Sequence, residues 1–505
     1  MDAIFIPVAS MVGASLDQVK LISCLLISYP LGSLFIRIPS SQPGLKHIFN
    51  LTVTLVYLLP VLNMYSALLQ LLGSVIGTYM IAANVRGPRM PWIVFVFLMG
   101  HLLVNHIIRA IYHPGYDFGI TAPQMVLTMK LSTFAWNVWD GRRPVADLDK
   151  WQSEKRVTKY PSLLEFLGFS FYFPGFLVGP YLEYSTYMSL IDESIYKSTG
   201  AHQNITSTKS GRNVPDGRKR VAYRKMAFGL AWLGVFVVLG GSYNFAVALQ
   251  PWFATRSLLY RIAYFHICGV VERSKYYALW ILTEGAGDMS GLGFTGYSPT
   301  GQSLWQGATN VNVLMIEFAP NFKVLLDSWN TKTNVWLREC VYKRVTPKGK
   351  KPGFRSSMTT FVTSAVWHGI AGGYYLTFLL GGFMSSISRL SRANIRPLLL
   401  PPPGAPPSKL KRAYDIAGII ITVICMDYIA APFMLLSVRN SLAAWRALDW
   451  YGLWIIFGGL AFFYAGFPSD GGRDGEEAIA FASSSACWCY AINWHSVSDT
   501  RRCGD

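Results

Sequence analysis

The sequence predicts an all-α, polytopic membrane protein with roughly ten to twelve transmembrane or re-entrant helices. Three observations carry this. Of 505 residues, 52% are hydrophobic and only 14% are charged, against about 25% charged in soluble domains. The apolar residues gather into repeated runs of membrane-spanning length. The 45 Lys and Arg, against 27 Asp and Glu, sit mainly between those runs, so the net charge of +18 reads as topology rather than nucleic-acid binding. Residues 1–468 read as one multi-pass body. Residues 469–505 change composition abruptly, hold three of the seven cysteines and keep no hydrophobic period, so they read as an atypical, disordered tail.

A helix needs about 20 apolar residues to cross a bilayer core. In chain order the candidate runs are 16–38, 47–62, 65–85, 92–111, 123–138, 163–182, 226–249, 257–282, 311–326, 359–383, 414–438 and 451–467. No basic stretch precedes the first, so it is expected to stay as an anchor rather than be cleaved as a signal peptide. Run 163–182 contains Phe173-Pro174-Gly175, and run 359–383 contains Gly369, Gly372, Gly373, Gly381 and Gly382. Breaks at membrane depth are tolerated only where protein or a cavity covers the backbone. These runs are therefore expected to be re-entrant or partly unwound. The aromatic content, with 16 Trp and 27 Tyr, suits interfacial belts and an apolar tunnel for a long chain.

Basic residues concentrate in four loops, 142–159, 209–225, 332–355 and 389–412, all expected on the cytosolic side. A single run, 359–383, separates the third loop from the fourth. Either that run is a broken hairpin or one loop violates the rule, and the sequence leaves both readings open. Pro401-Pro402-Pro403 makes 397–407 a stiff spacer. Asn50-Leu51-Thr52 and Asn204-Ile205-Thr206 match the glycosylation sequon, and the second, in a loop expected to be cytosolic, is expected to be unmodified. Cys24, Cys268, Cys340, Cys425, Cys487, Cys489 and Cys503 show no metal-site or disulfide spacing. No metal site is expected.

The residue that stands out is His368, in Ser364-Ala365-Val366-Trp367-His368-Gly369. The surrounding run 359–384 is otherwise free of charge. A titratable group at membrane depth costs free energy and is a functional candidate by default, and histidine suits proton transfer near neutral pH. A structural histidine bonded between helices is the competing reading. Ser364, one helical turn earlier, is placed to hydrogen-bond it. A second stretch, Trp329-Asn330-Thr331-Lys332-Thr333-Asn334-Val335-Trp336, offers an asparagine amide able to orient a histidine or donate to an oxyanion. Taken alone, that asparagine reads more readily as a helix cap. Glu183, Glu284, Asp288 and Glu317 lie in or beside apolar runs, where carboxylates are paired or functional. Lys130 is the candidate partner for any of them. Soluble-enzyme signatures such as a Gly-x-Ser-x-Gly elbow, a phosphate loop or His-Glu-x-x-His are absent from the sequence.

Trp329-Asn330-Thr331-Lys332-Thr333, followed about forty residues later by Ser364 to Gly369, resembles the membrane-bound O-acyltransferase family. Further stretches resemble its lysophospholipid acyltransferase branch, particularly the fungal members. These are Gln124 to Leu131, Phe171 to Tyr184, Leu282-Thr283-Glu284-Gly285, Gly291 to Gly296 and Glu317-Phe318-Ala319-Pro320. The resemblance runs to about Pro468. The chain departs from the branch near Gly287, where cysteine is usual, and near Thr295, where asparagine is usual.

The resemblance implies an MBOAT-like fold in the endoplasmic reticulum membrane. It implies transfer of a fatty acyl group from acyl-CoA to the free hydroxyl of a lysophospholipid. His368 would be the catalytic base and Asn330 its partner. Trp329, Thr333, Trp336, Tyr342, Ser364, Trp367, Gly369, Tyr374 and Glu284 would bind substrate or support the site. Cations of 332–355 would meet CoA phosphates. No cofactor is expected beyond acyl-CoA as co-substrate. The partners are acyl-CoA, a lysophospholipid and the bilayer, with no nucleic acid. No acyl-enzyme is required, although Ser364 or Cys340 offers a nucleophile. Another acceptor (a sterol, diacylglycerol or a protein), a transporter and a catalytically dead scaffold are the alternative readings. Nothing in the chain specifies an oligomeric state, a headgroup, an acyl-chain preference or an sn-position.

Overall fold

A computed structural model describes residues 1–112, 119–197, 213–347, 349–350, 352–402 and 404–466. The sequon at Asn204, the three C-terminal cysteines and the tail 469–505 lie outside the described residues. Among the described residues, six helices are long and apolar enough to cross a membrane: Leu16–Phe35, Pro43–Val61, Tyr65–Asn84, Met90–Tyr112, Arg218–Leu239 and Lys409–Leu435. A seventh is added if Val438–Ala447 and Tyr451–Tyr464, bent by 87°, form one span. The other predicted runs are helical too, but they are broken or carry buried polar groups. The described residues hold one β-ladder, a two-stranded antiparallel pairing of Gly296–Tyr297 with Ser303–Leu304.

The breaks have local causes. Run 163–182 becomes Leu163–Ser170 and Phe173–Phe176, because Pro174 opens a new turn after Tyr172. Run 311–326 becomes Val313–Glu317 and Phe322–Ser328. Pro320 interrupts it, and Asn321 Oδ1 recaps the next helix by accepting from the Lys323 and Val324 N–H groups at 3.1 and 3.2 Å. Run 359–383 divides into Phe354–His368 and Gly372–Asn394. Phe354 stacks on Phe383 at 6.3 Å, and Gly382 lies against Met358. The two helices therefore run antiparallel as a hairpin. This resolves the charge conflict: the third and fourth basic loops leave the hairpin on the same side.

Lys130 does not neutralise a carboxylate, contrary to the sequence expectation. Its Nζ donates to the carbonyls of Phe169 at 2.5 Å and Ser170 at 3.0 Å, acceptors in the last turn of Leu163–Ser170, where the helix runs out of N–H donors. The carboxylates have other partners. Glu284 and Asp288 meet Lys225 at 3.3 and 2.9 Å, Glu317 meets Arg273 at 2.7 Å, and Glu183 meets Lys155 at 3.8 Å. Asn50 is buried, its Nδ2 donating to the Tyr187 hydroxyl at 3.1 Å, so its sequon is inaccessible in the folded chain.

An N-terminal apolar core is built around Phe134, Phe166, Phe169 and Tyr172. A C-terminal core is built around Phe265, Tyr277, Tyr428 and Trp445. A smaller cluster joins Met129 and Trp136 to Trp336 and Trp367. It matters most for function, because it fastens the asparagine stretch and the histidine stretch to the same buried helix, Thr121–Gly141.

Candidate active site

His368 is the last residue of Phe354–His368. The chain turns at Gly369, whose φ of 136° and ψ of −165° belong to a region essentially reserved for glycine. A Cβ there would also sit 3.3 Å from His106 Nδ1. Gly373 then allows the next helix to press on Lys409–Leu435, donating its N–H to Leu436 O at 2.8 Å. The turn thus presents the imidazole to an aromatic cage of Trp367, Phe378, Phe433 and Tyr374, with ring centres 4.6 to 5.9 Å away.

One hydrogen bond sets the tautomer. His368 Nδ1 lies 2.7 Å from the Ser364 carbonyl oxygen, and a carbonyl only accepts. Nδ1 therefore carries the proton, and in the neutral ring Nε2 keeps its lone pair. The sequence reading assigned this contact to Ser364. The group that makes it is the main-chain carbonyl rather than the hydroxyl.

His368 lines a cavity of about 490 Å³, within the usual size of small-molecule sites. Six predicted residues line it: His368, Asn330, Trp329, Thr333, Tyr342 and Ser364. Its wall is mostly apolar and aromatic, with Trp329 packed edge-on to Trp280 at 5.1 Å. Asn330 adopts a left-handed conformation, φ 45°, a region asparagine tolerates better than most residues. It precedes Thr331–Leu337 without capping it through its side chain. Its Oδ1 accepts from Asn310 Nδ2 at 3.1 Å.

The remaining predicted residues stand behind the cavity. Trp336 donates to Ser132 Oγ at 2.9 Å and packs on Trp367 at 5.5 Å. Trp367 donates to the Met125 carbonyl at 3.2 Å. Tyr374 packs against the imidazole and Phe433. Glu284 accepts from the N–H groups of Asn310 and Val311 at 2.7 and 3.1 Å.

Two buried residues were missed from sequence. His106 donates from Nε2 to the Trp367 carbonyl at 3.1 Å, steadying the turn after His368, and Asn310 holds Asn330. Neither sits in a stretch whose local pattern differs from that of a structural polar residue.

Cys340 is fully buried beside Thr133, with Sγ 3.4 Å from Oγ1, and does not line the cavity. The cations of 332–355 divide. Lys343 pairs with Asp149 at 2.8 Å and Glu339 at 2.7 Å, and Arg344 binds Asp140 through both terminal nitrogens at 2.9 and 2.5 Å. Burial opposes ionisation of the Asp149 carboxyl, but the Lys343 ammonium and the Gln152 N–H outweigh it and hold the carboxyl below its ordinary range. Arg338 also pairs, with Glu339 through Nε at 2.9 Å, but it is half exposed and borders the cavity together with Lys323, which pairs with Asp327.

Residues 106–431, more than half of the chain, match MBOAT, the membrane-bound O-acyltransferase family. The chain belongs to this family. It is 38% identical over 440 residues to a protein of Schizosaccharomyces pombe named lysophospholipid acyltransferase, covering 87% of this chain and 85% of that one. It is 35% identical over 464 residues to the lysophospholipid acyltransferase of Saccharomyces cerevisiae, covering 89% and 74%. Human membrane-bound glycerophospholipid O-acyltransferase 2 is 32% identical over 454 residues, covering 88% and 84%.

Proposed function

We propose that this membrane protein transfers a fatty acyl group from acyl-CoA to the free hydroxyl of a lysophospholipid. The observation that carries the reading is the pairing, in one apolar cavity, of an imidazole whose Nε2 is free to accept a proton with an asparagine amide whose oxygen is already engaged. His368 Nε2 removes the hydroxyl proton as the oxygen attacks the thioester carbonyl. Asn330 Nδ2 donates to the tetrahedral oxyanion. The intermediate collapses, the C–S bond breaks, and the CoA sulfur takes the proton back from the imidazolium. The ester and free CoA are the products.

Cys340 is walled off from the cavity, so the thiol carries no acyl-enzyme in this mechanism, and direct attack needs no covalent step on Ser364, which lines the cavity. Cys340→Ala is expected to keep activity within about twofold of wild type, since a buried structural cysteine is inert. A loss of two orders of magnitude would instead implicate the thiol. Gly369→Ala is expected to lower the turnover by about 100-fold, the cost of displacing a catalytic group by about 1 Å. Steady-state kinetics in nanodiscs would measure this.

The site suits the substrates. Acyl-CoA is polyanionic, and Arg338 and Lys323 stand where its phosphates would meet the cavity. A lysophospholipid reaches the site from the bilayer. The protein works in the endoplasmic reticulum membrane with its basic loops in the cytosol, where acyl-CoA is made available. The test is direct: purified protein in nanodiscs receives labelled oleoyl-CoA and a panel of lysophospholipids. Formation of labelled phospholipid is expected, and folded protein that acylates no lysophospholipid would overturn the reading.

A further inference from the structure

The Asn330 amide is useful only if it presents its nitrogen to the cavity, and a primary amide is nearly symmetric. Something must choose the orientation. Asn310, from the segment between the β-ladder and Val313–Glu317, is buried to 1% exposure and makes four kinds of contact. Its N–H donates to Glu284 Oε1 at 2.7 Å. Its carbonyl accepts from Thr331 N–H at 2.8 Å. Its Oδ1 accepts from Lys332 N–H at 2.9 Å. Its Nδ2 donates to Asn330 Oδ1 at 3.1 Å.

The order of these bonds is determined by chemistry. The Lys332 N–H can only donate, so the atom of Asn310 facing it is the oxygen. The other atom of that amide is then the NH2 group, which can only donate. The atom of Asn330 that receives it must be its oxygen, and the Asn330 NH2 is left over. That NH2 has no protein partner among the described residues. Glu284, itself neutralised by Lys225 at 3.3 Å, anchors the whole arrangement to Leu258–Met289.

We propose that Asn310 is a positioning residue that sets the orientation of the Asn330 amide, so that its NH2 group faces the reacting thioester carbonyl. This rests on the oxyanion role given to Asn330 above. It also assigns Glu284 a purpose: it holds Asn310, not the substrate.

Asn310→Asp keeps the shape and the backbone contacts but replaces the donor by an acceptor. Asn330 must then rotate its amide, donate to the introduced carboxylate and turn its own oxygen to the cavity. Turnover should fall about 100-fold, as when an oxyanion donor is removed, with KM for both substrates nearly unchanged. Asn310→Ser, which removes the clamp without adding charge, should give a smaller loss in kcat alone. Each is combined with Asn330→Ala in a double-mutant cycle using oleoyl-CoA and the best lysophospholipid acceptor, with size-exclusion profiles confirming the fold. If Asn310 acts through Asn330, neither substitution lowers activity further once Asn330 is alanine. Losses that multiply would overturn the proposal while leaving the Asn330 role intact. Wild-type activity in Asn330→Ala alone would remove the oxyanion role and the proposal together.

Discussion

Replacing His368 by alanine is expected to lower acyl transfer by about 10²- to 10⁴-fold, the range for loss of a positioned general base. The loss should fall on kcat, because the imidazole contributes one edge of a cavity whose other walls are unchanged. His368→Gln is a stricter test. It restores a polar side chain of similar reach that can hydrogen-bond Ser364 O but cannot accept a proton at neutral pH. It should be as inactive as alanine, with a folded size-exclusion profile. If glutamine restored most of the activity, His368 would be a positioning group, and the proton would have to leave by another route. The prediction follows from the 2.7 Å contact at Nδ1, since a ring with the opposite tautomer would have no base facing the cavity.

The second large effect is on stability. Arg273 lies at the centre of a buried ionic cluster. It binds Glu317 through Nε at 2.9 Å and Nη2 at 2.7 Å, and Asp427 through Nη1. Asp427 also meets His266 Nδ1 at 2.7 Å, and Glu317 accepts from Tyr277 at 2.6 Å. The side chains of Arg273, Glu317 and Asp427 are 5%, 12% and 2% exposed. Arg273→Leu removes the guanidinium from two buried carboxylates and leaves Asp427 with His266 and Glu317 with Tyr277; breaking such a buried pair costs about 3–5 kcal/mol. The expected result is a lower unfolding temperature in detergent and loss of the monodisperse peak. Adding Glu317→Gln and Asp427→Asn should recover most of the stability, because the penalty comes from unpaired charge rather than lost attraction. A single variant as stable as wild type would mean that solvent already reaches the cluster.

Much of the fold was legible because membrane burial leaves a strong local signal. Runs 16–38, 65–85 and 92–111 match spanning helices, since length and apolarity suffice to identify them. Runs 163–182 and 311–326 were less legible. Their breaks depend on Pro174 and Pro320, but also on what accepts the freed backbone groups, such as Lys130 reaching the carbonyls of Phe169 and Ser170. The site was half legible. Trp329, Asn330, Ser364 and His368 drew notice as polar or aromatic groups in distinctive stretches. Asn310 and His106 did not, because a buried amide or imidazole acquires its role from the group it faces.

The sequence by itself determined that the chain is a helical membrane body and that His368 and Asn330 are its foremost chemical candidates. These are properties of composition and of neighbours along the chain. It placed the positive charge in loops, whereas the structure carries much of it on helix ends, Arg218, Lys219, Arg220, Arg224 and Lys225 opening Arg218–Leu239 and Lys409, Lys411 and Arg412 opening Lys409–Leu435. Only the tertiary structure decided that 359–383 folds back as a hairpin, that His368 keeps its proton on Nδ1, that Arg273 rather than Lys130 satisfies Glu317, and that Asn310 donates to the amide oxygen of Asn330. Arg273 and Asp427 are 154 residues apart, and no local period specifies such a partner. It is chosen when helices pack and each buried polar atom must find a donor or acceptor within reach.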